Sequence, residues 1–306
     1  MLMKSPTAPA RSRQKRATSN GPSNWLLAPA LVFFAVFALV PLLGVAVLSF
    51  MHWDGLGTPS FAGMANWQQT FSNPVTLNAM WLTFAMTVLC YLTQAPISIL
   101  IGVFMAGEQK YRAVYSVLYF LPLLFSAAAV GIAFKALLDP NFGLSKAFNI
   151  GLLSQDWLGS TDLVFYVLIF VISWCFVPFH SLLYQAAVKQ IPVSMNEAAM
   201  LDGAGRVRTF FSVTLPQIKY TVITSSTLMV VGSLTYFDLV FVMTNGGPGN
   251  ATRILPLDMY LTGFRSYQMG AASAIAVILV VVGLLVSLLL NKFSDTNKME
   301  SQQEGA

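Results

Sequence analysis

Charge is what this 306-residue chain has least of. It carries 17 Lys or Arg and 12 Asp or Glu, 9% in all, against 56% apolar residues and a mean hydropathy of +0.67. Soluble domains carry about 25% charged residues, so this chain cannot coat a water-facing surface and is neither an ordinary soluble enzyme nor a disordered chain. Cysteine is nearly absent: Cys90 and Cys175 cannot build a secreted-type disulfide framework, and both lie in apolar runs as small packing residues. His52 and His180, far apart and without neighbouring Cys or acid patterns, make no metal site. No G-x-x-x-x-G-K-[ST] run occurs, so the chain has no phosphate-binding loop of that kind and hydrolyses no ATP by that route. No catalytic residue and no bound cofactor is expected.

Long apolar runs are what it has instead. A bilayer core of about 30 Å needs about 20 apolar residues in a helix. Six runs qualify: Trp25 to Met51, Leu77 to Ala106, Ala113 to Leu138, Leu163 to Val188, Tyr220 to Met243 and Gly270 to Asn291. The expected fold class is all-α, a polytopic membrane protein with six transmembrane helices. Residues 1–24 read as a basic, disordered tail, 25–292 as the membrane domain and 293–306 as a C-terminal tail. The first run is too long for a signal-peptide core and lacks a small-x-small cleavage site, so it reads as a retained anchor.

The basic residues set the expected orientation. With the N-terminus inside, thirteen of 17 fall on the cytoplasmic side, among them Arg11, Arg13, Lys15, Arg16, Lys110, Arg112, Lys189, Arg206, Arg208 and Lys219. Only Lys135, Lys146, Arg253 and Arg265 fall outside. Both termini are therefore expected in the cytoplasm, and the basic balance is topological rather than a sign of nucleic-acid binding. Pro41, Pro96, Pro122 and Pro178 fall inside four of the runs, where each removes a helix hydrogen bond. They read as packing kinks or as the origin of a cavity near the midplane.

The loop from 189 to 219 carries the most information. Ser194 and Glu197 have capping-box spacing for a short amphipathic helix. Asp202, Gly203 and Gly205 would end it, and Leu215-Pro216 restarts the chain toward the membrane. On composition alone this is either an interfacial helix resting on lipid or a peg for a soluble partner.

The pattern Glu197-Ala198-Ala199, Gly203, Val213, Leu215-Pro216 resembles the EAA loop of permeases from binding-protein-dependent ABC importers. Val213 in place of Ile is the one departure. The resemblance extends over nearly the whole chain after residue 24. It includes Leu26-Leu27-Ala28-Pro29-Ala30, Phe61 through Asn66-Trp67, Trp174, Ile191-Pro192, Asp202 through Gly205, and Thr244-Asn245-Gly246-Gly247-Pro248. These features are similar to the sugar branch, and to its MalF/UgpA-type subunit rather than the MalG type. The large extra outer domain of some members is absent.

The resemblance implies a type I importer permease of MetI-like fold in a prokaryotic cytoplasmic (inner) membrane. It implies a second homologous permease as partner, two cytoplasmic ATPases that consume the ATP, and an extracytoplasmic solute-binding protein delivering a sugar. Ser194, Glu197, Ala198, Ala199, Asp202, Gly203, Gly205, Leu215 and Pro216 would couple to the ATPase. The substrate path would involve Trp174, Cys175, Phe176, Met229, Ser233, Tyr236, Phe237 and Asp238, with Ser233, Tyr236 and Phe237 on one helix face. Asp238 is the one acid found within a run. It reads as structural or gating, solvated from outside or paired with Arg253 or Arg265, ahead of contact with sugar. A half-size secondary transporter or an integral-membrane enzyme would account for the runs but has no use for the EAA spacing.

Overall fold

The computed structural model describes residues 24–293. The expected basic tail and most of the C-terminal tail lie outside the described residues. The chain divides into two units, residues 1–44 and 45–306. In the first, a 3-10 turn Asn24–Leu27 leads into α1 (Ala28–Phe34), a π-helical turn Ala35–Leu39 and the start of α2 (Val40–Leu48), which runs past the boundary. The π turn stands directly before Pro41. A proline ring clashes with the carbonyl four residues back, and widening the turn removes that clash.

In the second unit, β1 (Met51–His52) and β2 (Ser60–Phe61) form a small antiparallel hairpin. There follow α3 (Ala65–Ser72), α4 (Pro74–Met105), α5 (Lys110–Tyr119), α6 (Ala127–Leu137), α7 (Leu144–Phe148) and α8 (Val164–Lys189). The loop holds α9 (Val193–Leu201), α10 (Arg206–Thr209) and α11 (Leu215–Gln217), and α12 (Lys219–Ser233), α13 (Asp238–Met243), α14 (Leu255–Tyr260) and α15 (Met269–Phe293) complete the chain.

All six apolar runs are helical, but four give single helices long and apolar enough to cross a membrane: Trp25–Leu48, Pro74–Met105, Val164–Lys189 and Met269–Leu290. The third run turns by 97° between Lys110–Leu124 and Ala127–Leu137. Pro122 sits in the 3-10 turn before that corner, and Ser126 caps α6 through the Ala129 amide. The fifth run is broken between Ser233 and Asp238. Pro96 and Pro178, in contrast, sit inside unbroken α4 and α8.

The core of the second unit is the pair α4 and α8, which run parallel in fixed register. Thr93 Oγ1 lies 3.0 Å from Ser173 Oγ, Ser98 donates to the Val177 carbonyl, and the Gln185 amide donates to the Met105 carbonyl, at sequence offsets of 80, 79 and 80. The approach is close at Gly102, where an added Cβ would lie 2.6 Å from Tyr184 Cβ and 2.7 Å from the Ser181 carbonyl oxygen. Small residues allow this contact in lipid, where helices gain nothing from burying apolar surface against each other.

The opposite end of α4 and α8 from the 189–219 loop is closed by hydrogen bonds to main-chain carbonyls. Asn66 Nδ2 donates to the Ser49 and Met51 carbonyls at 2.9 and 2.8 Å, and the Met269 amide donates to the Trp53 carbonyl. Asp54 accepts from the Gly57 and Leu56 amides, and these bonds hold its carboxyl below the ordinary value.

Gly102→Val should separate α4 from α8. The expected loss is about 1–3 kcal/mol, the usual range for overpacking, read as a lowered Tm in detergent, with Gly102→Ala losing less. An unchanged Tm for both variants would show that the contact does not limit stability.

Candidate functional site

Two regions gather the residues singled out by the sequence: the 189–219 loop and a cleft in the helix bundle.

In the loop, the helix starts earlier than the capping box requires. Its N-cap is Pro192, held at φ −56°, and no side chain caps it. Ser194 therefore lies inside the first turn, and the expected Ser194–Glu197 capping box does not form. The C-terminal end is as expected at Gly203. Gly203, at φ +73°, donates to the Met200 carbonyl, and Ala204 donates to the Ala199 carbonyl at 2.9 Å. These two bonds make a Schellman motif, and its left-handed position suits glycine. Gly205 does not end α9; it is extended and caps α10.

No residue of α9 is buried. Ser194, Glu197, Ala198, Asp202, Gly203, Gly205 and Pro216 are exposed, and Ala199, Val213 and Leu215 partly so. A second π turn, Phe210–Thr214, stands directly before Leu215-Pro216, repeating the arrangement ahead of Pro41. α9 is thus an uncovered helix with a fixed exit, carried at the end of α8.

The cleft has a volume of about 470 Å³. Phe176, Phe179 and His180 of α8 form one wall, and Leu228 and Gly232 of α12 with Thr235, Tyr236, Phe237 and Asp238 form another. Leu123 and Ala127, from the 97° corner, complete it. Both irregular places in the bundle therefore face the same space. Non-helical backbone at membrane depth is tolerated where it lines a cavity or is buried in protein. Phe176 and Tyr236 pack across the cleft with centroids 5.1 Å apart. His180 is buried, and its Nδ1 lies 2.9 Å from Ser225 Oγ.

Of the residues expected on a substrate path, Phe176, Tyr236, Phe237 and Asp238 line the cleft. Trp174, Cys175, Met229 and Ser233 do not. Trp174 packs edge-on against Phe134 and is 40% exposed elsewhere. Cys175 and Met229 are buried in packing. Ser233 Oγ lies 2.7 Å from Thr87 Oγ1 and 2.6 Å from the Val230 carbonyl, so its hydroxyl is engaged against α4. The shared face of Ser233, Tyr236 and Phe237 fails because the helix stops at Ser233. Sequence reading missed Phe179 and His180. The signal was present: His180 follows Phe176 by four residues, the helical spacing that puts both on one face.

Asp238 begins α13, is exposed, and has no ion-pair partner among the described residues. Neither Arg253 nor Arg265 pairs with it among the described residues. Arg253 Nη2 and Nε instead hold Asp258 Oδ1 at 2.7 and 2.8 Å. Asp258, on α14, is 1% exposed. It lies outside the six apolar runs, so a search for acids within runs passes over it.

Removing one partner of a buried pair leaves the other uncompensated. Arg253→Met should cost about 3 kcal/mol of stability, and Asp258→Leu less, because Arg253 keeps some contact with solvent. The double variant should recover part of the loss in a detergent thermal-unfolding assay. Strictly additive losses would show that the two groups do not stabilise each other.

Comparison with known proteins bears on both regions. Residues 98–297 match the family described as binding-protein-dependent transport system inner membrane component. The probable ABC transporter permease protein YurN of Bacillus subtilis (strain 168) is 30% identical over 281 residues, 90% of this chain and 96% of that one. The arabinooligosaccharides transport system permease protein AraP of the same organism is 28% identical over 89% of this chain and 88% of its own. Among solved structures, a bacterial alginate ABC transporter in complex with an alginate pentasaccharide-bound periplasmic protein contains a chain of similar fold. Its TM-score is 0.78 at 22% identity, covering 89% of this chain and 93% of that one. With a family match over most of the helical bundle, including the exposed loop and the cleft, the chain belongs to the multi-pass inner-membrane permeases of binding-protein-dependent ABC transport systems.

Proposed function

We propose that this chain is one permease subunit of an ATP-driven importer and that its cargo is a carbohydrate. The observation that carries this reading is α9. It has no buried residue along its length, yet its exit is fixed by two main-chain bonds at Gly203 and Ala204. A helix resting passively on lipid needs no such fixed exit, whereas a peg that transmits force to a partner does. In this reading Glu197, Ala198, Ala199 and Asp202 seat in a cytoplasmic ATPase, and Leu215-Pro216 returns the chain to the membrane. ATP is bound and hydrolysed by two such partner subunits, and this chain performs no chemistry. A second, homologous permease supplies the other half of the path, and an extracytoplasmic binding protein delivers the cargo at the end closed by Asn66.

The aromatic cleft supports the carbohydrate reading, because rings such as Phe176 and Tyr236 give flat apolar faces on which sugars stack. The names of relatives agree in kind: AraP is named for arabinooligosaccharides and the solved transporter for alginate. The coupling role is tested by Glu197→Lys and Gly203→Pro. Proline cannot adopt the φ of +73° that Gly203 holds. Both variants should insert at wild-type abundance and lose uptake and cargo-stimulated ATP hydrolysis by at least tenfold. Normal uptake by both rejects the docking role. Reporter fusions at each terminus should be active only in their cytoplasm-sensing form, and activity of either terminus outside would reverse the proposed orientation.

A further inference from the structure

The relatives leave the sign of the cargo open, since alginate is an acidic polysaccharide while arabinooligosaccharides carry no acid group. The cleft does not leave it open. Among its lining residues there is no Lys or Arg, and the one formal charge is the Asp238 carboxylate, exposed and without an ion-pair partner among the described residues. Two of the other polar side chains of the wall are engaged: Thr235 Oγ1 donates to the Gly232 carbonyl at 2.7 Å, and His180 Nδ1 lies 2.9 Å from Ser225 Oγ. Building on the carbohydrate reading above, we propose that Asp238 makes this cleft a filter for uncharged sugars, accepting hydrogen bonds from their hydroxyls and turning away carboxylated or phosphorylated ones.

The chemistry is one of matched donors and acceptors. An ionised carboxylate only accepts hydrogen bonds, and a sugar with adjacent hydroxyls supplies donors to both oxygens. Bonds to a charged acceptor are the stronger class. A uronate or phosphate group brings acceptors and a second negative charge. With no cation in the wall to offset it, like-charge repulsion in a space walled by Phe176, Phe179 and Phe237 is screened less than in water. The position also suits a filter. Asp238 is the first residue of α13, directly after the break from which Thr235 to Phe237 enter the cleft wall. A charge inside a membrane bundle is costly unless it faces a path or a partner, and no ion-pair partner is present among the described residues.

The experiment uses the complete transporter, with both permeases, ATPases and binding protein, in proteoliposomes. The probes are arabinotriose and maltotriose as neutral sugars, and trigalacturonate and glycerol 3-phosphate as anionic ones, each with radiolabel. Wild type should take up at least one neutral probe and neither anionic probe. Asp238→Asn should raise the half-saturating concentration of that neutral probe at least tenfold, and Asp238→Glu should recover most of it. ATP hydrolysis without cargo should stay at the wild-type rate in both variants, which separates a cargo contact from a folding defect. Uptake of either anionic probe by wild type overturns the filter and leaves the carbohydrate reading standing. An unchanged half-saturating concentration in Asp238→Asn also overturns it. Uptake of none of the four probes by wild type overturns both readings.

Discussion

The close parallel contact between α4 and α8 is the constraint on which the rest of the second unit depends. Gly102 lets Tyr184 approach to contact distance, and three side-chain bonds at a near-constant offset fix the register along the pair. α8 then carries two features on one rigid rod. Phe176 and His180 wall the cleft at its middle, and α9 follows its end after a short turn. From His180 to Lys189 is nine residues, about 14 Å at 1.5 Å per residue. Only the rest of α8 and the turn at 190–192 separate α9 from the cleft wall.

Rigidity on that side contrasts with the other walls. The corner at 125–126 and the break at 234–237 are the two places in this unit where a membrane run leaves helical geometry, and both face the cleft. The cleft is therefore bounded by one unbroken helix and two interrupted ones. Buried polar groups cluster behind it: Tyr91 lies 3.1 Å from Ser226, and Ser225 2.9 Å from His180. Gln94 is fully buried, and neither atom of its amide has a hydrogen-bond partner among the described residues. Such groups are expensive in an apolar interior, and they lie on α4, α8 and α12.

Much of this architecture is legible in the order of residues alone. Scarce charge and six apolar runs specify a membrane bundle, because lipid demands internally satisfied backbone over a set length. Gly203 is legible because a helix ending in left-handed backbone selects glycine. Phe176 and Tyr236 follow from resemblance together with aromatic content. Other features are not legible for physical reasons. Ser194 has the right spacing for a cap, but Pro192 fixes its own φ and starts the helix two residues earlier. The break after Ser233 has no proline to announce it, so a helical reading runs on to Phe237. The Arg253–Asp258 pair lies in a short apolar stretch outside the six runs, whose burial depends on α4 and α15 packing against α14, which local sequence does not encode.

The Schellman ending of α9 has a consequence for how this subunit can change over time. The angle at which the chain leaves α9 is held by the amides of Gly203 and Ala204, which every sequence possesses provided residue 203 tolerates left-handed backbone. What this joint fixes is the direction of the chain, and it does so through main-chain atoms alone. Side chains on the exposed face of α9 can therefore change without altering the direction in which the chain leaves the helix.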